Sequence, residues 1–352
     1  MTTKLNENIK QFQNKLLEWY SMEARELPWR SDPTPYKVWI SEIMLQQTRV
    51  DTVIPYFLRF IAEAPTISEL AKMEEETLLK LWQGLGYYNR ALNLKKASIK
   101  IQQDFNGVIP SNIKDLMSLP GIGPYTAGAI ASIAFGQAVP AVDGNVLRIV
   151  ARVTASSEDI SLTATKKNFE SIVRTLVPKN NPGDFNQALM DLGATICLPN
   201  GQPKCAECPV QSLCQANLQG IISEIPVRTN KKARSIEKRT VLIIDCDGTY
   251  ALQKRDKKGL LPNLWEFPNF EGHLTEQQCI DVLYAKGIKA INFTTLKPSK
   301  HIFTHLEWHM TGYFFQGTRM ENESSYVWAT KDEIKHKYSV PTAFKAYTAA
   351  VK

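Results

Sequence analysis

The chain has 352 residues, with 42 Lys and Arg against 35 Asp and Glu, a formal net charge of +7, 43% apolar residues and six cysteines. That length predicts two domains, each able to bury a core, and ordinary apolar content with 22% charged residues excludes wholesale disorder. No apolar run approaches the roughly 18–20 residues of a membrane span. The first residues lack the apolar stretch of a secretory signal, so a cytoplasmic globular protein is expected. The positive surplus permits nucleic-acid binding without demanding it.

From Asn6 to about Ile222 the apolar spacing predicts helices throughout. Ile9, Phe12, Leu16, Trp19 and Tyr20 form one stripe. Val38–Ile54, Glu74–Trp82, Arg90–Phe105, Tyr125–Phe135, Thr163–Leu176 and Asp184–Cys197 repeat the pattern, with Gly and Pro at the turns. In the segment Val38–Ile54, Glu42, Gln46 and Arg49 fall on one polar stripe and Trp39, Ile43 and Val50 on an apolar one. Taken alone, such a glutamate reads as solvated.

Further on, Asn112–Ser118 reads as a helix with Ser111 as its N-cap, ending in Gly121-Ile122-Gly123. Pro124 then takes the first position of the next helix, where its missing N–H costs nothing. Both glycines are expected to allow positive φ and to open backbone amides to an anion. With the helix dipole they make a site for a DNA phosphate that reads no sequence.

Four cysteines cluster as Cys197-x7-Cys205-x2-Cys208-x5-Cys214, a spacing that reads as a metal site rather than a disulfide framework. Four thiolates suit zinc or an iron–sulfur cluster, and no open position is left for chemistry. Cys246 and Cys279 read as ordinary buried residues. Val227–Thr240 holds Arg228, Lys231, Lys232, Arg234, Lys238 and Arg239 against Glu237, and reads most simply as a solvated linker. Beyond it the texture turns strand-like. Thr240–Asp245 is a β-branched run ended by Asp247-Gly248, Thr275–Lys286 reads as a helix, and Leu306–Thr311 alternates with period two. The expected organisation is therefore a helical domain over 1–225, a basic linker over 226–239 and a mixed domain over 240–352, an α+β multi-domain chain.

Leu119–Ala127 resembles the helix-hairpin-helix of base-excision DNA glycosylases, and Val142-Asp143-Gly144-Asn145-Val146 resembles the segment that supplies their catalytic aspartate. Leu27-Pro-Trp-Arg30, Trp39–Val50 and Gly84–Arg90 are similar to the adenine DNA glycosylases, the MutY family. The resemblance spans both domains and implies a helical HhH-GPD domain followed by a Nudix-like one. It makes Glu42 the general acid that protonates the departing adenine, at N7, and Asp143 the carboxylate that steadies the sugar cation. That is the division of labour of sugar hydrolases, and it needs Glu42 protonated and Asp143 ionised. Tyr125 replaces the Schiff-base lysine of endonuclease III-type enzymes, and Asn145 positions water or the sugar, so a monofunctional enzyme is implied.

The target adenine must leave the duplex. Gln47 and Tyr87 match the family's intercalating residues, and Leu45, Gln46 and Thr48 its contacts to the opened pair. Arg25, Trp29 and Arg30 match the residues around the flipped base. The cysteines match a 4Fe–4S cluster that orders a basic loop, with one extra residue in the first gap, where Pro199, Asn200 and Gly201 suit a turn. Phe303-Thr304-His305 falls where the family has a Phe-Ser-His loop on the oxidised guanine; Thr304 keeps the hydroxyl and adds a methyl. A metal-binding Nudix helix anchored on Gly287-Ile288 would need Arg and paired Glu where the chain has Ile280, Tyr284 and Ala285, so phosphohydrolase activity is not expected. The implied partner is double-stranded DNA with an A·8-oxoguanine or A·G mispair, met by a monomer without membrane contact and associated with the nucleoid in a bacterium. A glycosylase/lyase and a non-catalytic iron–sulfur DNA-binding protein are the alternatives; Glu42, Tyr125, Asp143 and Asn145 together argue against the second.

Overall fold

The computed structural model describes residues 2–229, 233–321 and 325–352, with side chains from Glu7 onward. Lys231 and Lys232 of the basic run lie outside the described residues. The chain forms two compact units: Met1–Lys72 with Asn93–Asn230, and Met73–Leu92 with Lys231–Lys352. Among the described residues no helix is long and apolar enough to cross a membrane.

The first unit is helical. The helix Pro35–Leu45 starts on Thr34, whose hydroxyl accepts from Lys37 N, with Pro35 in its first turn. It buries every residue from Val38 to Met44. The expected single helix Val38–Ile54 is two: Gln47 adopts φ +59° and breaks the run, and Val50–Glu63 starts afresh. Periodicity missed this because an αL residue interrupts a helix without changing the spacing of its apolar side chains. Glu42, Gln46 and Arg49 therefore share no helical stripe, and Glu42 is only 4% exposed.

The hairpin pairs Ile113–Met117 with Pro124–Ile133. Asn112, not Ser111, is the N-cap, its Oδ1 accepting from Asp115 N at 2.9 Å. Both residue types cap well, and the register of the first turn decides between them. Gly121 has φ +80°, and a Cβ there would come within 2.8 Å of Asn93 Cβ. Gly123 has φ −95° and ψ 179°, an extended conformation any residue adopts. Its expected positive φ is thus wrong, and a Cβ at Gly123 would meet nothing within 4 Å. The helix Gly144–Thr154 is capped by Asp143 and packs its apolar face into a core with Phe12, Leu16, Phe169, Phe185 and Leu192.

The second unit is a mixed sheet of seven strands among its described residues: β1 (Ser235–Cys246), β2 (Thr249–Lys254), β3 (Trp265–Glu266), β4 (Asn269–Glu271), β5 (Ile288–Ile302), β6 (Leu306–Arg319) and β7 (Val327–Ala329). The main order is β3-β2-β1-β6-β5, with β1 and β6 parallel. Alternation along β1 sends Val241 and Ile243 into a core with Trp308 and Phe344. Leu242, Ile244 and Cys246 enter a second core with Cys279 and Leu283 of the helix Glu276–Ala285. That helix opens with a capping box from Thr275 and Gln278.

The basic run is only partly solvent-borne. Ile160 N donates to Val227 O, and Asp159 accepts from Thr229 N, while Lys238 and Arg239 lie in β1 with the Arg239 guanidinium 4.5 Å over the Trp308 ring. Arg228, Arg234 and Lys238 are exposed, and among the described basic residues of the run only Arg239 is partly buried, its stem packed on an aromatic ring.

Candidate active site

Glu42 comes from the third turn of its helix, Tyr125 from the first turn of the hairpin's second helix, and Asp143 and Asn145 from the start of the next. All four line one cavity of about 690 Å³, within the range of small-molecule sites. Arg25, Trp29, Arg30, Leu45, Gln46, Gln47 and Thr48 line the same cavity. Tyr87, Gly121, Gly123, Phe303, Thr304 and His305 do not.

Burial dominates the Glu42 carboxyl and pushes it up to about 7. A short bond from Tyr125 Oη to Glu42 Oε2, 2.6 Å, and the more distant Arg30 oppose the rise, while Asp143 adds to it. The Tyr125 phenol is itself held well above its usual value by burial, so it stays a donor, with Met190 Sδ 3.8 Å from the same oxygen. Burial also raises Asp143, but this carboxylate accepts from Asn145 N at 2.9 Å, Val146 N at 2.9 Å and Asn145 Nδ2 at 2.7 Å. Three N–H donors and a helix N-terminus favour its anion. Glu42 has a single hydroxyl donor, so the two environments differ in the sense that acid and counter-charge require.

The cavity wall depends on a residue the sequence did not single out. Asp191, fully buried, takes a bidentate pair from Arg30 at 2.8 Å on both nitrogens, and Arg25 Nη2 sits 2.5 Å from its Oδ1. Arg30 Nε is buried with no partner, leaving one donor on a side chain that faces the cavity. Nothing local marked Asp191, since its partners lie more than 160 positions away; an acid amid the apolar Pro182–Thr195 helix was the only signal. Arg148 was missed too: it donates to Asn145 Oδ1 at 3.0 Å, one helical turn away, and to Cys197 O at 2.9 Å, a partner 49 positions on.

Cys197, Cys205, Cys208 and Cys214 face one small apolar pocket with no disulfide among them. Arg152 Nη1 lies 3.2 Å from Cys197 Sγ. Burial pushes the Cys208 thiol up to about 12, and Cys205 and Cys214 in the same direction, so thiolates here require positive charge inside the pocket. Among the described residues no three His, Cys, Asp or Glu side chains stand where they would hold one metal ion. One tetrahedral ion needs its sulfurs roughly 4 Å apart, whereas an iron–sulfur cluster spreads its thiolates over several irons. The four cysteines around one pocket are a donor set that suits either group.

In the second unit, the loop between β5 and β6 presents Thr304 and His305 to solvent, while the Phe303 ring sits 4.9 Å from Trp308 and 4.6 Å from His301. Arg234 Nε donates to Phe303 O and Ser235 N to His305 O, fixing the loop. Tyr87, at φ +49° and 51% exposed, has its Oη 3.0 Å from Thr304 Oγ1. Tyr87 and Gln47 are both non-glycine residues in the left-handed region, a strain that clusters at functional sites.

A family model described as HhH-GPD superfamily base excision DNA repair protein matches residues 40–178, and one described as a NUDIX domain matches residues 239–350. The adenine DNA glycosylase of Homo sapiens is 34% identical over 402 aligned positions, covering 95% of this chain and 72% of the human protein. That of Buchnera aphidicola subsp. Schizaphis graminum is 39% identical over 261 positions, covering 74% of this chain and 75% of its own. Among solved structures, a thermostable thymine-DNA glycosylase superimposes with a TM-score of 0.56 at 31% identity, covering 61% of this chain and 99% of its own.

Proposed function

The chain belongs to the adenine DNA glycosylase family, and from that premise we propose that it excises adenine paired with 8-oxoguanine or guanine without cutting the strand. It is a DNA N-glycosylase of base-excision repair, and its substrate is DNA. The observation that carries the finer reading is the shared cavity, with Glu42 and Asp143 on one wall system and Tyr125 donating to Glu42.

In this reading the everted adenine enters the cavity beside Arg30 and Trp29, while Gln47 fills the space it leaves, and Tyr87 is the second residue to which the resemblance gives an intercalating role. Glu42 is protonated. Its Oε2 accepts from Tyr125, which leaves the other oxygen to carry the proton to adenine N7. As the glycosidic bond breaks, the Asp143 carboxylate, held ionised by its three N–H donors, stabilises the oxocarbenium-like sugar. Asn145, tied to both Asp143 and Arg148, orients the water that completes hydrolysis. Strand cleavage by a Schiff base needs an amine. None of the described residues lining the cavity is a lysine, and a phenol forms no imine, which supports a monofunctional reaction.

Cys197, Cys205, Cys208 and Cys214 would hold a 4Fe–4S cluster, which supplies structural order to the Cys197–Cys214 loop and leaves the proton chemistry to Glu42 and Asp143. The exposed Thr304 hydroxyl and His305 would read the oxidised guanine.

A duplex bearing one A·8-oxoguanine pair tests the whole reading. Strand breaks should develop only after alkali, and borohydride should trap no covalent adduct. Breaks without alkali, or a trapped adduct, would replace it with the lyase mechanism.

A further inference from the structure

The turn that carries Tyr87 belongs, by its packing, to the sheet-bearing unit. Met73–Leu92 clusters with Lys231–Lys352 although it lies in the helical half of the sequence. Two kinds of contact tie it there. At its tip, Tyr87 Oη meets Thr304 Oγ1, an exposed hydroxyl pair. At its base, the helix Glu75–Trp82 and its C-cap grip main-chain oxygens: Lys80 Nζ donates to Ile334 O at 3.3 Å and to Tyr338 O at 2.9 Å, and Gln83 Nε2 donates to Val340 O at 2.7 Å. Glu75 to Asn263 and Glu76 to Lys254 reinforce the base.

The base and the tip are joined stiffly. Gly84, Gly86 and Tyr87 all take positive φ, and Gly86 O accepts from Trp82 Nε1 at 3.1 Å and Arg90 Nη2 at 2.9 Å. A tyrosine entering a base stack must give up or re-aim its bond to Thr304, whereas the bonds at the base are unaffected by that movement. Carbonyl acceptors are also fixed by the fold, unlike exposed side-chain partners.

We propose that Lys80 and Gln83 are positioning residues for partner-base discrimination, holding the Tyr87 turn in register with the Phe303–His305 loop so that wedge insertion and partner reading act as one event. This rests on the reading above that the loop reads the base opposite adenine.

The test compares Kd and saturating single-turnover rate on A·8-oxoguanine and A·G duplexes for the full-length protein. Lys80→Met/Gln83→Leu should shrink the Kd preference for the oxidised partner roughly five- to tenfold. The saturating rate on A·8-oxoguanine should stay unchanged, and Lys80→Arg should keep the preference. Gln83→Leu alone, which removes one bond, should shrink it measurably and covers the case in which the double variant folds poorly. An unchanged preference in these variants, or an equal loss of rate on both duplexes, would overturn the proposal. Thr304→Ala runs alongside. If it too leaves the preference intact, the loop's reading role has failed; if it alone lowers the preference, only the anchoring inference has failed.

Discussion

Glu42 is 4% exposed with its carboxyl raised to about 7, whereas Thr304 stands in solvent at the end of a β-hairpin, bonded to another exposed hydroxyl. The two regions are built by opposite means. Around Glu42 the fold removes water and accepts the cost of an acid it keeps from ionising. Around Thr304 it keeps the polar groups wet and spends its packing beneath them, on Phe303 against Trp308 and on two arginines over the same indole. Proton delivery to a poor leaving group needs a shifted pKa and therefore burial. Reading a base that stays in the duplex needs groups that a large partner can reach, and the energy available from each is small.

The largest test of this contrast is Glu42→Gln. The amide keeps an acceptor for Tyr125 but has no proton to deliver, so base release should fall by roughly 10²–10⁴-fold while duplex affinity holds. Single-turnover assays at saturating enzyme beside binding isotherms would show it; equal loss of both would make Glu42 a binding residue. The wild-type rate should carry the same signature. Because Glu42 must be protonated and Asp143 ionised, the saturating rate should fall tenfold per pH unit above about pH 7 and fall again in acid, where Asp143 takes up a proton. A limb set by Thr304 or its neighbours is not expected, since the loop transfers no proton.

Burying that acid has a cost with a defined pH window. The folded value of about 7 lies above the 4.5 of an exposed glutamate, so the folded state binds the proton more tightly. The penalty is absent below about pH 4.5, grows as pH rises, and is complete above about 7, where it amounts to roughly 3 kcal/mol. Glu42→Gln should therefore stabilise the protein at pH 8 and have little effect at pH 4.5, as read by denaturant unfolding. Stabilisation equal at both pH values would mean that burial, as drawn here, is not what raises the carboxyl.

The two regions also differed in how far the sequence revealed them. The catalytic set is legible because each member sits in a long local string; Tyr125 lies in the first turn of the helix that Pro124 is expected to open, whereas the helix Gly144–Thr154, capped by Asp143, is not among the expected helices. What failed was geometry that spacing does not encode. Gln47 splits a helix without disturbing its apolar rhythm, Asn112 takes a cap from Ser111, and Gly123 is extended. Asp191 and Arg148 matter through partners remote in the chain, which no local pattern carries. The Phe303–His305 loop was placed by resemblance, but its bond to Tyr87 joins residues 217 positions apart and needed coordinates. Short-range chemistry is written in motifs; long-range positioning is written in packing.

The smallest expected effect is the sharpest probe of the exposed region. Thr304→Ala removes a hydroxyl that faces solvent and Tyr87 together, so its loss should lower the preference for 8-oxoguanine over guanine by roughly two- to tenfold, the span of one net hydrogen bond. Thr304→Ser keeps the hydroxyl and deletes only a methyl, and should leave the preference where it was. Neither change should alter the pH at which the saturating rate falls, because neither touches the Glu42 environment. If the serine variant also lost preference, the methyl would be shaping the loop and packing would rule this region as it does the cavity. The division drawn between a dry acid and a wet reader would then be wrong on its second side.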